Sequence, residues 1–407
     1  MEHDAPSPET HVIVYQAPWN WDVLWNRAQP LARALSKHAT VIYVEAGTRA
    51  PELSRFETQV NRISFVRRLL WRRRPGRLIQ LGPNLYYYNE FALSKWHANE
   101  FAMTTADREP IQYEYLARSL SQFLTGQRVA WLLTSRPFAD RLLSLHKWDC
   151  IVADLEDPWL TVCPHHTREQ IVEFFRKVDA ITANGDMLAT EYNPLSDKAI
   201  LPLYNGVDEE FVRQVSERHD VLPPYFLARP DRPRAVFTGT VNNRIDLDSL
   251  YTIVRACPGI DFHFFGLIRA EDITKWERLL SAENFAFHGS VPHEALPKLI
   301  CHASVLLLPY TDLSNYFPAK LLEYIVTGKP IVSFADYSQQ FATVPTLYAC
   351  STVDEYAATL RSIVDSNAPL SEEQRGAITA IASEHSWNRR AKEMVEVFRS
   401  HEPRSIK

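Results

Sequence analysis

No stretch of this chain is apolar for long enough to span a bilayer. Bursts such as Val305–Leu308 are of strand length, far short of the ~20 residues a spanning helix needs. The opening MEHDAPSPET has neither a basic start nor an apolar run, so no secretory leader is expected there, and residues 1–10 read as a disordered polar tail. Cysteine is scarce as well. Cys150, Cys163, Cys257, Cys301 and Cys350 are scattered, odd in number and never spaced C-x-x-C. That pattern excludes a disulfide framework and a zinc cage and suits a reducing, cytoplasmic setting. His165 and His166 have no partner at ligand spacing, so neither a metal site nor a metal cofactor is expected. Internal repeats and low-complexity segments are lacking, and the net charge of −5 argues against a nucleic-acid partner.

What is present is ample material for two cores. The chain has 407 residues, 46% of them hydrophobic, which is enough for two domains of ordinary size. Strands are predicted at His11–Tyr15, Thr40–Val44, Val129–Leu133, Ile151–Leu155, Ala180–Ala183 and Ala199–Leu203. Helices are expected over Arg27–Lys37 and Thr167–Val178. The turn Asn205–Asp208 closes this half, and the proline-rich Val221–Pro233 reads as a linker. Alternation then resumes, with strands at Ala235–Thr238, Phe262–Phe265, Phe285–Gly289, Ser304–Leu308 and Ile331–Phe334. The helices between them start at Asp246, near Ile273–Leu280 and over Pro292–Cys301, and a last helix covers Trp387–Phe398. Alternating strands and helices imply α/β architecture with parallel sheets covered on both faces.

The most informative segment is NYFPAKLLEYIVTGKPIV, Asn315–Val332. Pro318 suits a first helical position, and Gly328 stops the helix begun there. Lys320, Glu323 and Thr327 share one face, while Leu321, Leu322 and Ile325 point to a core. A lysine in a first turn opposes the helix dipole unless an anion docks beside it. Read alone, the segment also fits a solvated Lys–Glu pair.

Pro-x-Lys-x-x-Glu-Tyr followed by Gly-Lys-Pro-Ile-Val resembles the donor-sugar motif of GT-B glycosyltransferases. The retaining family 4 group is the nearest likeness, and within it the teichuronic-acid biosynthesis type. That resemblance implies two doubly wound, Rossmann-like domains facing a cleft, with the C-terminal helix crossing back to the first domain. Residues 11–205 would take the acceptor, residues 206–385 the nucleotide-sugar donor, and residues 386–407 would form the crossover helix and tail. It assigns Glu323 to the ribose hydroxyls. The first glutamate of the family's pair falls on Asn315, which brings hydrogen bonds to the transferred sugar but no charge.

The resemblance extends to other segments. Val236–Leu250 ends a strand in Gly239 and offers Arg244 to the donor diphosphate, and Gly266 closes the next strand beside the base. His263 in that strand reads as a core residue. Asp154-Leu155-Glu156-Asp157 ends a first-domain strand, where ligands bind in such sheets; Asp154 and Asp157 are the two candidates for catalytic work there. The alternative is that Glu156 and Asp157 merely cap a turn. The loop Pro18–Arg27 sets Trp19 and Trp21 beside Asp22 and Arg27, a combination suited to stacking on and orienting an acceptor sugar. Finally, seven arginines in Arg62–Arg77, interleaved with Phe65, Leu69, Leu70 and Trp71, suit an anionic membrane surface on the cytosolic side.

The expectation is therefore a glycosyltransferase with a nucleoside diphosphate-sugar donor and a lipid-linked or saccharide acceptor, working with retention in polysaccharide or glycolipid synthesis. Lys320 and Arg244 would stabilise the departing diphosphate. Two other readings share these motifs: an epimerase or hydrolase on the same fold, and a non-catalytic sugar-nucleotide binder, the latter motivated by Asn315.

Overall fold

The computed structural model describes residues 7–18, 21, 25–44, 78–88, 116–124, 126, 128–136, 140–162, 166–268, 273–311, 317–337, 341, 344, 346–366 and 370–402. The chain forms two compact units. Residues 1–205 and 387–407 make the first, and residues 206–386 the second.

In the first unit the strands are β1 (His11–Gln16), β2 (Thr40–Val44), β3 (Leu78–Gly82), β4 (Leu85–Tyr88), β5 (Val129–Thr134), β6 (Cys150–Leu155), β7 (Ala180–Ala183) and β8 (Ile200–Pro202). They form one sheet in the order β3-β4-β2-β1-β5-β6-β7-β8. Every neighbouring pair is parallel except the β3–β4 hairpin at one edge. Runs such as Val12–Tyr15 and Val41–Tyr43 are wholly buried, as strands covered on both faces must be. The helix Arg168–Arg176 begins at a reciprocal cap between Thr167 and Gln170. The chain's last helix, Trp387–His401, belongs to this unit, as expected. Its Ala391, Met394, Val395 and Phe398 enter the core formed by β1, β5 and the helix Ala28–Leu35. Phe398 stacks on Trp131 at 4.7 Å between ring centres, and the Trp131 indole N–H donates to Glu402 at 2.7 Å.

The second unit holds β9 (Arg234–Thr238), β10 (Asp261–Phe265), β11 (Phe285–Phe287), β12 (Val305–Leu308), β13 (Ile331–Ser333) and β14 (Leu347–Ala349). Their order is β11-β10-β9-β12-β13-β14, parallel throughout. The helix Leu247–Ala256 starts where Asp246 caps the amides of Asp248 and Ser249.

Three expectations change. The proline-rich Val221–Pro233 is not a linker. It lies inside the second unit, where Phe226 packs edge-on against His263 at 4.8 Å, and the units part at Asn205 and Gly206 instead. Prolines there stiffen a cover over the sheet. The polar start is structured from Ser7, whose carbonyl accepts from the Thr10 and His11 amides. Pro318 is the cap and not the first residue of its helix, which spans Ala319–Ile325.

That helix is anchored from below. The Tyr324 hydroxyl, fully buried, accepts the Thr238 amide at 2.8 Å and lies 3.1 Å from the Thr238 hydroxyl. Tyr324→Phe leaves that amide without an acceptor, so we expect a loss of about 1–3 kcal/mol in urea unfolding. An unchanged midpoint would show that the bond contributes nothing.

Candidate functional site

The C-terminal edge of the second sheet is built on two glycines. Gly239 follows β9 with φ +134°, and Gly266 follows β10 with φ +138°. The Gly239 amide donates to the Phe265 carbonyl at 2.8 Å, and the Gly266 amide to the Gly289 carbonyl at 2.8 Å. A Cβ on Gly266 would stand 1.9 Å from the Gly239 carbonyl oxygen, and one on Gly239 would stand 2.6 Å from the Lys320 ammonium nitrogen. A side chain at Gly266 would collide with backbone, and one at Gly239 would be strained by its positive φ and would displace the Lys320 ammonium.

Lys320 leans over this edge. Its ammonium lies 5.1 Å from the centre of the Phe237 ring and 4.8 Å from that of Tyr310, and it bonds the Tyr310 hydroxyl. The Arg244 guanidinium lies over the same Tyr310 ring at 4.7 Å. Its loop is held by the Arg244 carbonyl, which accepts the Thr311 amide at 2.9 Å. Two cations from segments far apart in sequence thus share one aromatic ring beside Gly239. Glu323, one turn beyond Lys320, is partly exposed and bonds the His293 imidazole at 2.7 Å. The pairing of His293 with Glu323 was not legible in the sequence because no spacing rule joins residues thirty positions apart. His263 is the core residue expected, with a partner the sequence did not show: its Nδ1 is 2.9 Å from His288 Nε2. Burial first, then His288 and Arg234, push the His263 imidazole down to about 4. Asn315 lies outside the described residues.

In the first unit the structure brings together Arg27 and Asp154, which the sequence assigns separately to acceptor binding and to catalysis. Arg27 Nε and Nη2 each donate to Asp154 at 2.9 Å, and the Thr182 hydroxyl donates to the same carboxylate at 2.7 Å. Arg27 Nη1 is spent on the Tyr204 carbonyl and the Asn205 side chain, at 3.0 and 3.3 Å. Asp154 is fully buried and Arg27 nearly so. A carboxylate enclosed this way is not placed to act as a base, nor the guanidinium to bind an acceptor; the pair ties β6 and β7 to the point where the chain leaves the unit. Asp157 is half-buried just past β6.

Glu156, between them, is buried, and its Oε1 accepts from the Tyr15 hydroxyl at 2.9 Å. Burial raises its carboxyl to about 8, with Asp154 and Asp157 adding to the rise and Arg27 and the Tyr15 bond opposing it. Trp21 is partly buried, edge-on to Tyr43 at 5.0 Å and to Trp25 at 6.0 Å, with Arg33 stacked 4.3 Å over Trp25. Trp19, Asp22 and the arginine stripe 62–77 lie outside the described residues.

Taken together, the folds of the two units are those of the GT-B glycosyltransferases. Residues 248–396 match the family described as glycosyl transferase-like. A teichuronic acid biosynthesis glycosyltransferase, TuaH of Bacillus subtilis, is 24% identical over 211 residues, which is 47% of this chain and 52% of that protein. The chain thus matches about half the length of that curated relative. Among solved structures, sucrose-phosphate synthase from Thermosynechococcus elongatus superposes with a TM-score of 0.67 at 12% identity, covering 96% of this chain and 98% of that one. Anabaena HepE, solved with UDP-glucose, gives 0.63 at 9% identity over 96% and 99% of the two chains.

Removing one member of the buried pair strands the other's charge. Asp154→Asn should therefore lower unfolding stability by about 3–5 kcal/mol, seen as a depressed Tm or insoluble protein. A well-folded variant with reduced turnover only would restore Asp154 to the chemistry.

Proposed function

We propose that the protein is a glycosyltransferase whose second unit holds a nucleoside diphosphate-sugar and whose first unit takes a lipid-linked or saccharide acceptor. The observation that carries this reading is the convergence of Lys320 and Arg244 on Tyr310 beside Gly239. Like charges gathered on one ring repel; a diphosphate reverses the sign of that interaction, and most strongly as the departing nucleotide gains charge. Glu323, oriented by His293, is set to accept from ribose hydroxyls, and Asn315 keeps its role toward the transferred sugar. The likeness to TuaH supports cell-surface polysaccharide synthesis, and the family 4 resemblance supports retention, in which the leaving phosphate takes the acceptor proton. UDP-glucose in HepE makes a UDP-sugar the first donor to try.

A thermal-shift screen with UDP-, GDP- and dTDP-sugars identifies the donor. Calorimetry with that donor should then show Lys320→Ala binding about ten- to a hundredfold more weakly, the cost of one charged hydrogen bond. Wild-type affinity in Lys320→Ala, or a screen without a hit, would sink the donor assignment. Nucleotide release that is indifferent to acceptor lipid extract would mark a hydrolase instead.

Among the described residues no helix is long and apolar enough to cross a membrane. The proposal places the protein at the cytosolic face through Arg62–Arg77, each arginine adding about 1 kcal/mol at an anionic surface. Flotation with anionic vesicles at low salt, lost at high salt, is the expected result; equal recovery on neutral vesicles would refute it.

A further inference from the structure

Glu156 belongs to the acidic cluster Asp154–Asp157, in which the sequence favours Asp154 and Asp157 as candidates. The geometry draws Glu156 forward. Arg27 is engaged by Asp154, and Glu156, just past the end of β6, makes no ion pair of its own among the described residues. We propose that Glu156 is the acceptor-positioning residue of the first unit, holding a hydroxyl of a sugar acceptor on the carboxyl oxygen that Tyr15 does not occupy. This deepens the glycosyltransferase reading and rests on it.

The geometry supports it at three points. Glu156 directly follows β6, at the edge of the parallel sheet where ligands dock. It is gripped from both sides: the Tyr15 hydroxyl from β1 donates to Oε1 at 2.9 Å and lies 3.1 Å from the Ser135 hydroxyl after β5. Just after β7, the Asn184 side-chain amide donates to the Glu156 backbone carbonyl at 3.3 Å. Its Oε2 has no partner among the described residues, while 6% of the residue stays open to solvent. The side chain is therefore fixed by one oxygen and presents the other.

The groups facing it are Tyr15 on β1, Arg27 and Asp154 in their pair, and Asp157 next in the chain, with Ser135 after β5 reached through Tyr15. In this company the carboxyl ionises near 8, so at neutral pH it is an uncharged acid. Such a group both donates and accepts, as a sugar hydroxyl does. A buried acid lacking a counter-cation also weakens the fold, and a glutamine or leucine would sit there more cheaply. Departures from local economy of this kind collect at functional sites.

The test is binding of methyl α-D-glucopyranoside, followed by saturation-transfer NMR from pH 6 to 9.5, in wild type, Glu156→Gln and Glu156→Leu. Wild-type binding should weaken as pH rises through about 8, because the ionised carboxyl no longer donates. Glu156→Gln should bind with no such pH dependence, and Glu156→Leu should bind about tenfold more weakly at pH 7, one hydrogen bond lost. Equal affinity of wild type and Glu156→Leu, or no binding of the glucoside by wild type, overturns the inference.

Thermal unfolding supplies a second readout. The folded-state pKa lies above the unfolded one, so between about 4.5 and 8 the folded chain retains a proton that the unfolded chain has shed. Wild-type stability should fall across that window as pH rises, and the gain of Glu156→Gln over wild type should grow through it and then level off. Parallel curves would mean that the acid is not held neutral, which also overturns the inference. Calorimetry with the donor found by the screen separates the two levels. Wild type that binds no donor removes the glycosyltransferase reading, whereas intact donor binding with an indifferent Glu156→Leu removes only the role of Glu156.

Discussion

Parallel strand pairing is the constraint from which the rest of this molecule follows. When all strands run the same way, every one of them ends at the same edge, and the backbone there has no further strand to bond. In the first unit that edge gathers Gln16, Thr134, Ser135, Asp154, Glu156 and Asn184 from four strands. In the second it gathers Gly239, Gly266 and Tyr310. The second edge is so tight that a single methyl on Gly266 would overlap the Gly239 carbonyl, 1.9 Å away. Crowding of backbone against backbone leaves room for Lys320 to reach over the edge and meet Arg244 on one ring.

The two units treat charge in opposite ways. In the first, an arginine and an aspartate are withdrawn from water together, and every nitrogen of the guanidinium donates to an acceptor. Such a pair is self-sufficient; it organises the strand ends and has nothing left to offer a ligand. In the second, two cations are gathered on Tyr310. That arrangement gains from a bound anion. Glu156 stands between these cases: it is enclosed like Asp154 but has no cation to itself, and it meets the cost by keeping its proton.

Much of this architecture was legible in the residues. His11–Tyr15, Thr40–Val44 and Ala180–Ala183 are short, largely apolar runs between turn signals, and each is a strand as read. Asp246, read as the first residue of the next helix, is its cap, because a carboxylate beside two free amides is a local interaction that needs no fold to specify it. The hairpin β3–β4 and the three-residue β14 escaped notice. Leu78–Gly82 is half exposed and carries no clean alternation, and three residues are too few to show a period. Val221–Pro233 misled for a different reason. Its prolines mark a stiff, irregular backbone, and such a backbone serves as well to cover a sheet through Phe226 as to join two domains.

The sequence by itself determined the order of strands and helices, the place of the glycines at strand ends, and the segment carrying Lys320 and Glu323, because each of these is written in neighbouring residues. Only the tertiary structure decided which charges would meet. Arg27 and Asp154 are 127 positions apart, Tyr15 and Glu156 141, and His293 and Glu323 thirty. No local rule relates such residues. Their pairing follows from strand order, and it is the pairing that withdraws Asp154 from solvent and leaves Glu156 with a carboxyl oxygen to spare.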